Sequence, residues 1–253
     1  MMHIFKAIIG LIFMQALTCM AATAAPCAST NVLGTSGTLS IHQQEWPTFG
    51  KNSQYPILPL QPHQYILTFD DGPATSTTPA ILAILRDQCV KATMFMIGRR
   101  ASQNPTLVKD AFADGHTMGS HSWSHAMLQK IPYDAAISEI VRGYEAVETA
   151  EFGKPRPPDS PRLFRFPDEH DTAALLVWAQ SHKIAVAGVD LTPSDWRNDP
   201  PDVTFKRFKN MLDHVDRGII LLHDGLPNTV QLLPKILDEL RARHASIIHL
   251  TVQ

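Results

Sequence analysis

The sequence predicts an α/β fold in one domain, either a barrel or a doubly wound sheet, and three observations carry that expectation. From Tyr65 onward, short apolar runs alternate with longer amphipathic stretches, the order expected of parallel strands joined by crossover helices. Polar, titratable clusters fall where the strand-like runs end, at Asp70 and Asp71, Gly119 to His125, Arg165, Asp190 to Trp196, and His223 with Asp224. In a parallel barrel those ends share one rim. A chain of 253 residues with 44% hydrophobic content can bury one sizeable core.

Residues 1–24 form a different compositional zone. Lys6 is the sole Lys, Arg, Asp or Glu before residue 25, an apolar run follows from Ala7 to Met20, and the small-residue stretch AATAA closes it. This is the order of a secretory signal peptide, with cleavage expected after Ala24, and its apolar run is short for a membrane span. No stable membrane span is expected once it is removed. Cys19 lies in the leader, so the exported chain keeps Cys27 and Cys89. In an oxidising compartment these two could form one disulfide or remain as thiols. The formal charge of −2 gives no reason to expect nucleic acid or an anionic membrane as partner.

Residues 25–63 are rich in Ser, Thr, Gly, Gln and Pro, and read as an N-terminal extension with a short strand near Thr38 to His42. The domain proper is placed at 64–253. Its opening strand is Tyr65 to Phe69, followed by a helix over Thr78 to Asp87 with Ile81, Leu82, Ile84 and Leu85 apolar. Ala92 to Ile97 reads as a strand, Pro105 to Asp114 as a helix closed by Gly115, and His116 to Gly119 as a strand. A helix over Tyr133 to Glu151 leads through the Pro-rich KPRPPDSPR to a strand at Leu163 to Phe166. The helix Thr172 to His182, the strand Ile184 to Val189, the helix Phe205 to Val215 and the strand Ile219 to Leu222 come next. A helix over Val230 to Arg243 and a strand at Ser246 to Val252 close the chain.

The run YILTFDDGP delivers two adjacent carboxylates to a strand end, where like charges are unfavourable unless a cation compensates one of them. HSWSH supplies a second half. Histidines four apart lie on one face of a helical turn, so both rings can reach one ion. With 12 histidines in the chain such a pair alone means little. Together with a strand-end aspartate it makes two nitrogens and one carboxylate oxygen, a catalytic divalent-metal pattern that leaves the other aspartate free as a base.

TFDDGP, then KATMFMIG, GSHSWSH, LFRFP, DW and LLHD together resemble the polysaccharide deacetylases of carbohydrate esterase family 4, of the nodulation-factor chitooligosaccharide deacetylase type. The resemblance covers roughly Tyr65 to Val252 and includes all five of that family's motif regions in order. It implies a distorted (β/α) barrel, usually of seven strands, and metal-dependent hydrolysis of N-acetyl or O-acetyl groups on a glycan. Carried over residue by residue, it implies Asp71, His121 and His125 as ligands of a divalent metal, usually Zn2+. It implies Asp70 as general base and His223 as general acid. Arg165 would pair with Asp70 and keep it oriented, and Asp195 would tune His223. Trp196 and Leu221 would wall the acetyl pocket, with Pro167 beside the substrate.

The chain departs from the family in two places. An aromatic residue usually follows the proline of RFP, where Asp168 stands here, so the groove would be more acidic. Asp168, Glu169 and His170 are either substrate contacts or a solvated polar loop. In the fourth motif, the upstream Asp190 sits five residues before Asp195 instead of three, which leaves it a weak candidate for the same task. Trp123 would pack the site from outside or cover sugar, Trp178 would be core, and Met94 and Met96 would fill strand space.

The expected protein is an exported monomer, periplasmic or secreted, acting on an acetylated glycan. The alternatives are a non-catalytic glycan-binding protein with the same fold and a related amidase acting on a non-sugar amide.

Overall fold

Strands buried on both faces need continuous apolar runs, and the run from Gln64 to Asp70 has six consecutive buried residues, from Tyr65 to Asp70. It is β3 of a nine-stranded sheet in which neighbouring strands are parallel. The structure is a computed structural model that describes residues 32–51, 54–197 and 199–253. The leader and Cys27 lie outside the described residues.

Before β3 come β1 (Thr35–Ile41) and β2 (Thr48–Phe49). After it the chain alternates: α1 (Thr78–Asp87), β4 (Thr93–Met96), α2 (Gly98–Gln103), α3 (Pro105–Ala113), β5 (Thr117–Ser120), α4 (Tyr133–Phe152) and β6 (Arg162–Phe164). Then come α5 (Ala173–Ser181), β7 (Ile184–Ala187), α6 (Pro201–Leu212), β8 (Gly218–His223), α7 (Pro227–Ala242) and β9 (Ser246–Val252). The seven expected strands are β3 to β9, and the segment before residue 64 adds two more to the same sheet.

Hydrogen-bonded neighbours run β3–β4–β5–β6–β7, while β8 pairs with β3 on its other side. A single parallel bridge, Leu191 to Ile220, joins the chain after β7 to β8 and closes the ring. β2 pairs with the free edge of β7, and between the chain after β7 and β8 one bridge stands in place of a full ladder, which is the distortion in this (β/α) barrel. β9 pairs only with the first residues of β3 and carries β1 on its outer edge.

Side chains alternate faces along a strand, so phase decides what each residue meets. Tyr65, Leu67 and Phe69 join the larger apolar cluster with residues of α1, α6 and α7. Ile66 joins a second cluster with Phe95, Leu163, Ala185 and Ile219, reinforced by Ile41, Phe49, Leu58 and Leu60 from the N-terminal segment. Two and four residues beyond Ile66 on the same face come Thr68 and Asp70; two and four beyond Ile219 come Leu221 and His223. The apolar interior of the barrel therefore changes into polar chemistry at one end.

Two expectations are corrected. HSWSH is not a helical turn: His121 to His125 form an irregular loop after β5, in which Ser122 and His125 take left-handed backbone with φ of 64° and 61°. Proline at a helix start is favourable, so α6 begins at Pro201 instead of Phe205, and the short α2 was not expected.

Candidate active site

Sheet register assembles the site. Asp70 at the end of β3 is level with Phe95 of β4 and His223 of β8, while Met96, Ser120 and Phe164 align across β4, β5 and β6. The residues just past those ends, Asp71, His121 and Arg165, consequently emerge on one rim. Asp71 takes φ 72°, which turns its carboxylate away from that of Asp70. The following residue is Gly72, where a Cβ would lie 2.6 Å from Asp224 Oδ2 and would displace that carboxylate.

Asp71, His121 and His125 each offer a ligand atom, and these atoms all lie within 4.8 Å of one another. Asp71 Oδ1 stands 3.8 Å from His121 Nε2 and 3.5 Å from His125 Nε2. That oxygen is buried and has no hydrogen-bond partner among the described residues. His121 Nδ1 lies 2.8 Å from the Arg165 carbonyl, which only accepts, so Nδ1 carries the proton and the Nε2 lone pair faces both aspartates, with Asp70 Oδ2 at 3.7 Å. Burial lowers the pKa of His121, outweighing the raising effect of Asp70 and Asp71, and so favours the neutral ring that a ligand needs. Two imidazole nitrogens and an orphaned carboxylate oxygen fit a divalent cation of the zinc type.

The other aspartate is held differently. Arg165 is wholly buried and donates from one terminal nitrogen to Asp70 Oδ1 at 2.7 Å and to the Thr68 hydroxyl oxygen at 2.9 Å. Two further donors reach the carbonyls of Ala187 and Gly188, and its guanidinium lies 4.2 Å over the Phe95 ring. Four of its five N–H donors are thus engaged, so the charge beside Asp70 is fixed in place. A buried charge pair broken on one side is destabilising by about 3–5 kcal/mol, which is why such an arginine tolerates no movement.

Across the cavity, His223 donates from Nδ1 to Asp195 Oδ1 at 2.8 Å. The other oxygen of Asp195 accepts from the His223 backbone N–H at 2.8 Å and from the Thr229 hydroxyl at 2.6 Å. Burial works to lower the His223 pKa, but the Asp195 hydrogen bond and the charges of Asp195, Asp70 and Asp71 outweigh it, and the net direction is upward. With Nδ1 committed, the second ring proton sits on Nε2. Trp196, half-exposed, meets the His223 ring edge-to-face at 5.1 Å.

A cavity of about 360 Å3 joins these groups, lined by Asp70, Asp71, His121, His125, Trp196, Leu221 and His223, with Asp168 and Glu169 at its lip. Leu221 is buried yet belongs to neither apolar cluster of its strand neighbours; it faces this cavity. Arg165 and Asp195 stand behind the lining. Pro167 is buried in the short 3-10 turn Pro167–Glu169 and is not part of the wall. Asp190 lies elsewhere, accepting the N–H groups of Lys51 and Ile219. Trp123 faces away, lining a separate cavity of about 420 Å3 with the Arg142 guanidinium 4.3 Å above its ring. Trp178 is half-buried and stacks on His182.

Sequence reasoning missed the supports. Thr68 and Thr229 brace Arg165 and Asp195, and Asp224, quoted only as the end of LLHD, accepts from both Thr77 and Thr78. Asp224 thereby ties the start of α1 to the end of β8 beneath the Asp71–Gly72 turn.

Comparison with known proteins agrees with this geometry. The family profile described as polysaccharide deacetylase matches residues 59–187. A peptidoglycan-N-acetylglucosamine deacetylase of Bacillus cereus is 33% identical over 183 residues, covering 69% of this chain and 80% of that protein. A chitooligosaccharide deacetylase of Azorhizobium caulinodans is 31% identical over 166 residues, covering 64% of this chain and 73% of the relative. Among solved structures, a family 4 carbohydrate esterase from Streptomyces lividans in complex with acetate superposes with a TM-score of 0.62 at 30% identity, covering 74% of this chain and 93% of its own.

Proposed function

This chain belongs to the polysaccharide deacetylase family, and from that premise we propose that it is an exported, metal-dependent hydrolase that removes N-acetyl groups from a glycan. The observation that carries the reading is the orphaned Asp71 oxygen between two histidine nitrogens, facing Asp70 and His223 across one cavity. Asp71, His121 and His125 would hold the ion, with zinc the best match to the donor set. The chemistry a divalent ion supplies at such a site is polarisation of the acetamide carbonyl and acidification of the hydrolytic water.

The rest belongs to the chain's own side chains. Asp70, held in place by Arg165, receives the proton as the water oxygen adds to the carbonyl carbon. His223, protonated and aimed by Asp195, delivers the Nε2 proton to the departing nitrogen as the C–N bond breaks. Acetate and a free amine are the products. Leu221 and Trp196 form the apolar wall against which the acetyl methyl packs.

The names of the relatives suggest N-acetylglucosamine units of peptidoglycan or of chitooligosaccharides as substrate. For export, the leader-like pattern of residues 1–24 is joined by the finding that Cys89 is disulfide-bonded, a state kept in oxidising compartments. A periplasmic or secreted location is consistent with both. No helix among the described residues is long and apolar enough to cross a membrane.

The test is acetate release by the purified protein from peptidoglycan, chitooligosaccharides and, for O-acetyl groups, acetylxylan. Release should stop with a chelator and return with zinc. Activity indifferent to chelation, or no release from any acetylated glycan, would overturn the proposal.

A further inference from the structure

The two histidines of the candidate metal set are held by different means. The His121 side chain is 3% exposed, and its Nδ1 is committed to the Arg165 carbonyl. The His125 side chain is 31% exposed, and among the described residues no hydrogen bond fixes its ring, which meets the His121 ring edge-to-face at 4.9 Å. The place of the His125 ring therefore follows from its backbone.

That backbone is not one that local preference supplies. Ser122 and His125 take φ of 64° and 61°, and left-handed backbone at such residues persists only where the surroundings fix it. One bond is internal to the loop, from the His125 N–H to the Ser122 hydroxyl at 3.0 Å. The others come from two helices. Gly98 and Arg99, the first residues of α2, donate their N–H groups to the carbonyls of Ser122 and Trp123, each at 2.9 Å. The helix α4 packs directly on the loop, so closely that a Cβ on Gly143 would lie 2.5 Å from the Ser122 carbonyl carbon. One turn before Gly143, the Glu139 carbonyl accepts the Trp123 N–H at 2.9 Å. The Glu139 carboxylate accepts from both the N–H and the hydroxyl of Ser124, each at 2.9 Å and both through Oε2. Glu139 thus reaches in from another element and engages both polar groups of the residue immediately before His125.

We propose that Glu139 is a positioning residue for the metal site: by holding Ser124 it fixes the backbone from which His125 projects, and so sets the affinity for the ion. This rests on the metal-dependent reading above and adds to it a residue that the cavity lining does not include. A carboxylate near a cation can also act by charge alone, and substitution separates the two modes. Glutamine loses the charge but keeps an oxygen able to accept both Ser124 bonds, whereas alanine loses charge and acceptor together.

The experiment measures zinc affinity by competition with a chromophoric chelator, for the full chain and for its Glu139→Ala, Glu139→Gln and Ser124→Ala variants. Glu139→Ala should bind zinc about 10–100-fold more weakly, the range for losing a group that orients a metal ligand. Glu139→Gln should recover most of that loss. Ser124→Ala removes one of the two bonds and should fall between wild type and Glu139→Ala. Thermal unfolding of the metal-free proteins checks that each variant is folded. Wild-type affinity in Glu139→Ala, or a Glu139→Gln protein no better than Glu139→Ala, would overturn the inference. Should Glu139→Ala fail to fold, wild-type affinity in Ser124→Ala would overturn it in the same way. Absence of zinc binding by the wild-type chain is a separate outcome, which would sink the metal-dependent reading itself and this inference with it.

Discussion

Two adjacent aspartates have different partners because the backbone turns between them. Asp70 continues the interior face of β3 and meets Arg165, whereas Asp71, one residue on at φ 72°, faces His121 and His125. The division gives opposite outcomes for two substitutions. Asp71→Ala should lose stoichiometric metal, measured by elemental analysis of the purified protein. Asp70→Asn should keep the metal while turnover falls by about 10²–10⁴, the range for loss of a positioned acid–base group. Retention of metal by both variants would contradict the assignment. This pair was legible in the sequence because a strand end, two carboxylates and a glycine stand side by side. Thr68, Thr229 and Asp224 were not, since threonine is unremarkable locally and each acts on partners far away in the chain, such as Ile220 for Thr68 and Thr77 for Asp224.

Among the elements, strands are easier to place than the loops at their ends. Apolar runs such as ATMFMI fit a buried parallel strand directly. The loop after β5 departs from the expected helical turn because two left-handed residues bring its rings together, a result that spacing of four would give in a helix. β5 also carries a pH liability at its start. His116, just before it, accepts the Ala92 N–H at Nδ1 at 3.1 Å, and burial, with Lys91 adding to the effect, pushes its pKa down to about 4 from 6.5. Protonation converts that acceptor into a donor and breaks the bond. The unfolded chain binds the proton first, so stability is complete above about pH 6.5 and falls as pH drops towards about 4, by about 3 kcal/mol in full. Urea unfolding at pH 7.5 and at pH 4.5 should show this loss, and a His116→Gln protein should show a visibly flatter dependence. An unchanged slope would place the acid sensitivity elsewhere.

For the whole molecule, the segment before residue 64 is structural. Ile41, Phe49, Leu58 and Leu60 are buried in the cluster that fills the barrel interior, each 4% exposed or less. At about 1.5–3 kcal/mol per side chain their burial sums to about 6–12 kcal/mol, comparable with the entire stability of a typical domain. A chain starting at Gln64 should therefore fail to unfold cooperatively on heating and should be cut rapidly by protease, whereas one starting at Val32 should behave as a folded protein. If the shorter chain melts at the same temperature as the longer, the segment is dispensable.

Local order in the sequence determined a good deal: strand–helix alternation, the strand-end positions of the titratable groups, and a donor set suited to a divalent ion. Each of these depends on neighbours a few residues apart, which sequence spacing records. Strand–helix alternation left a barrel and an open sheet both open; the family resemblance implied the barrel, and the β3–β8 ladder and the Leu191–Ile220 bridge bear it out. The tertiary structure alone decided which oxygen of which aspartate is left without a partner, and that residues 35–41 and 48–49 belong to the sheet. Those are contacts across scores of residues, made by register and burial together, and no local pattern encodes them.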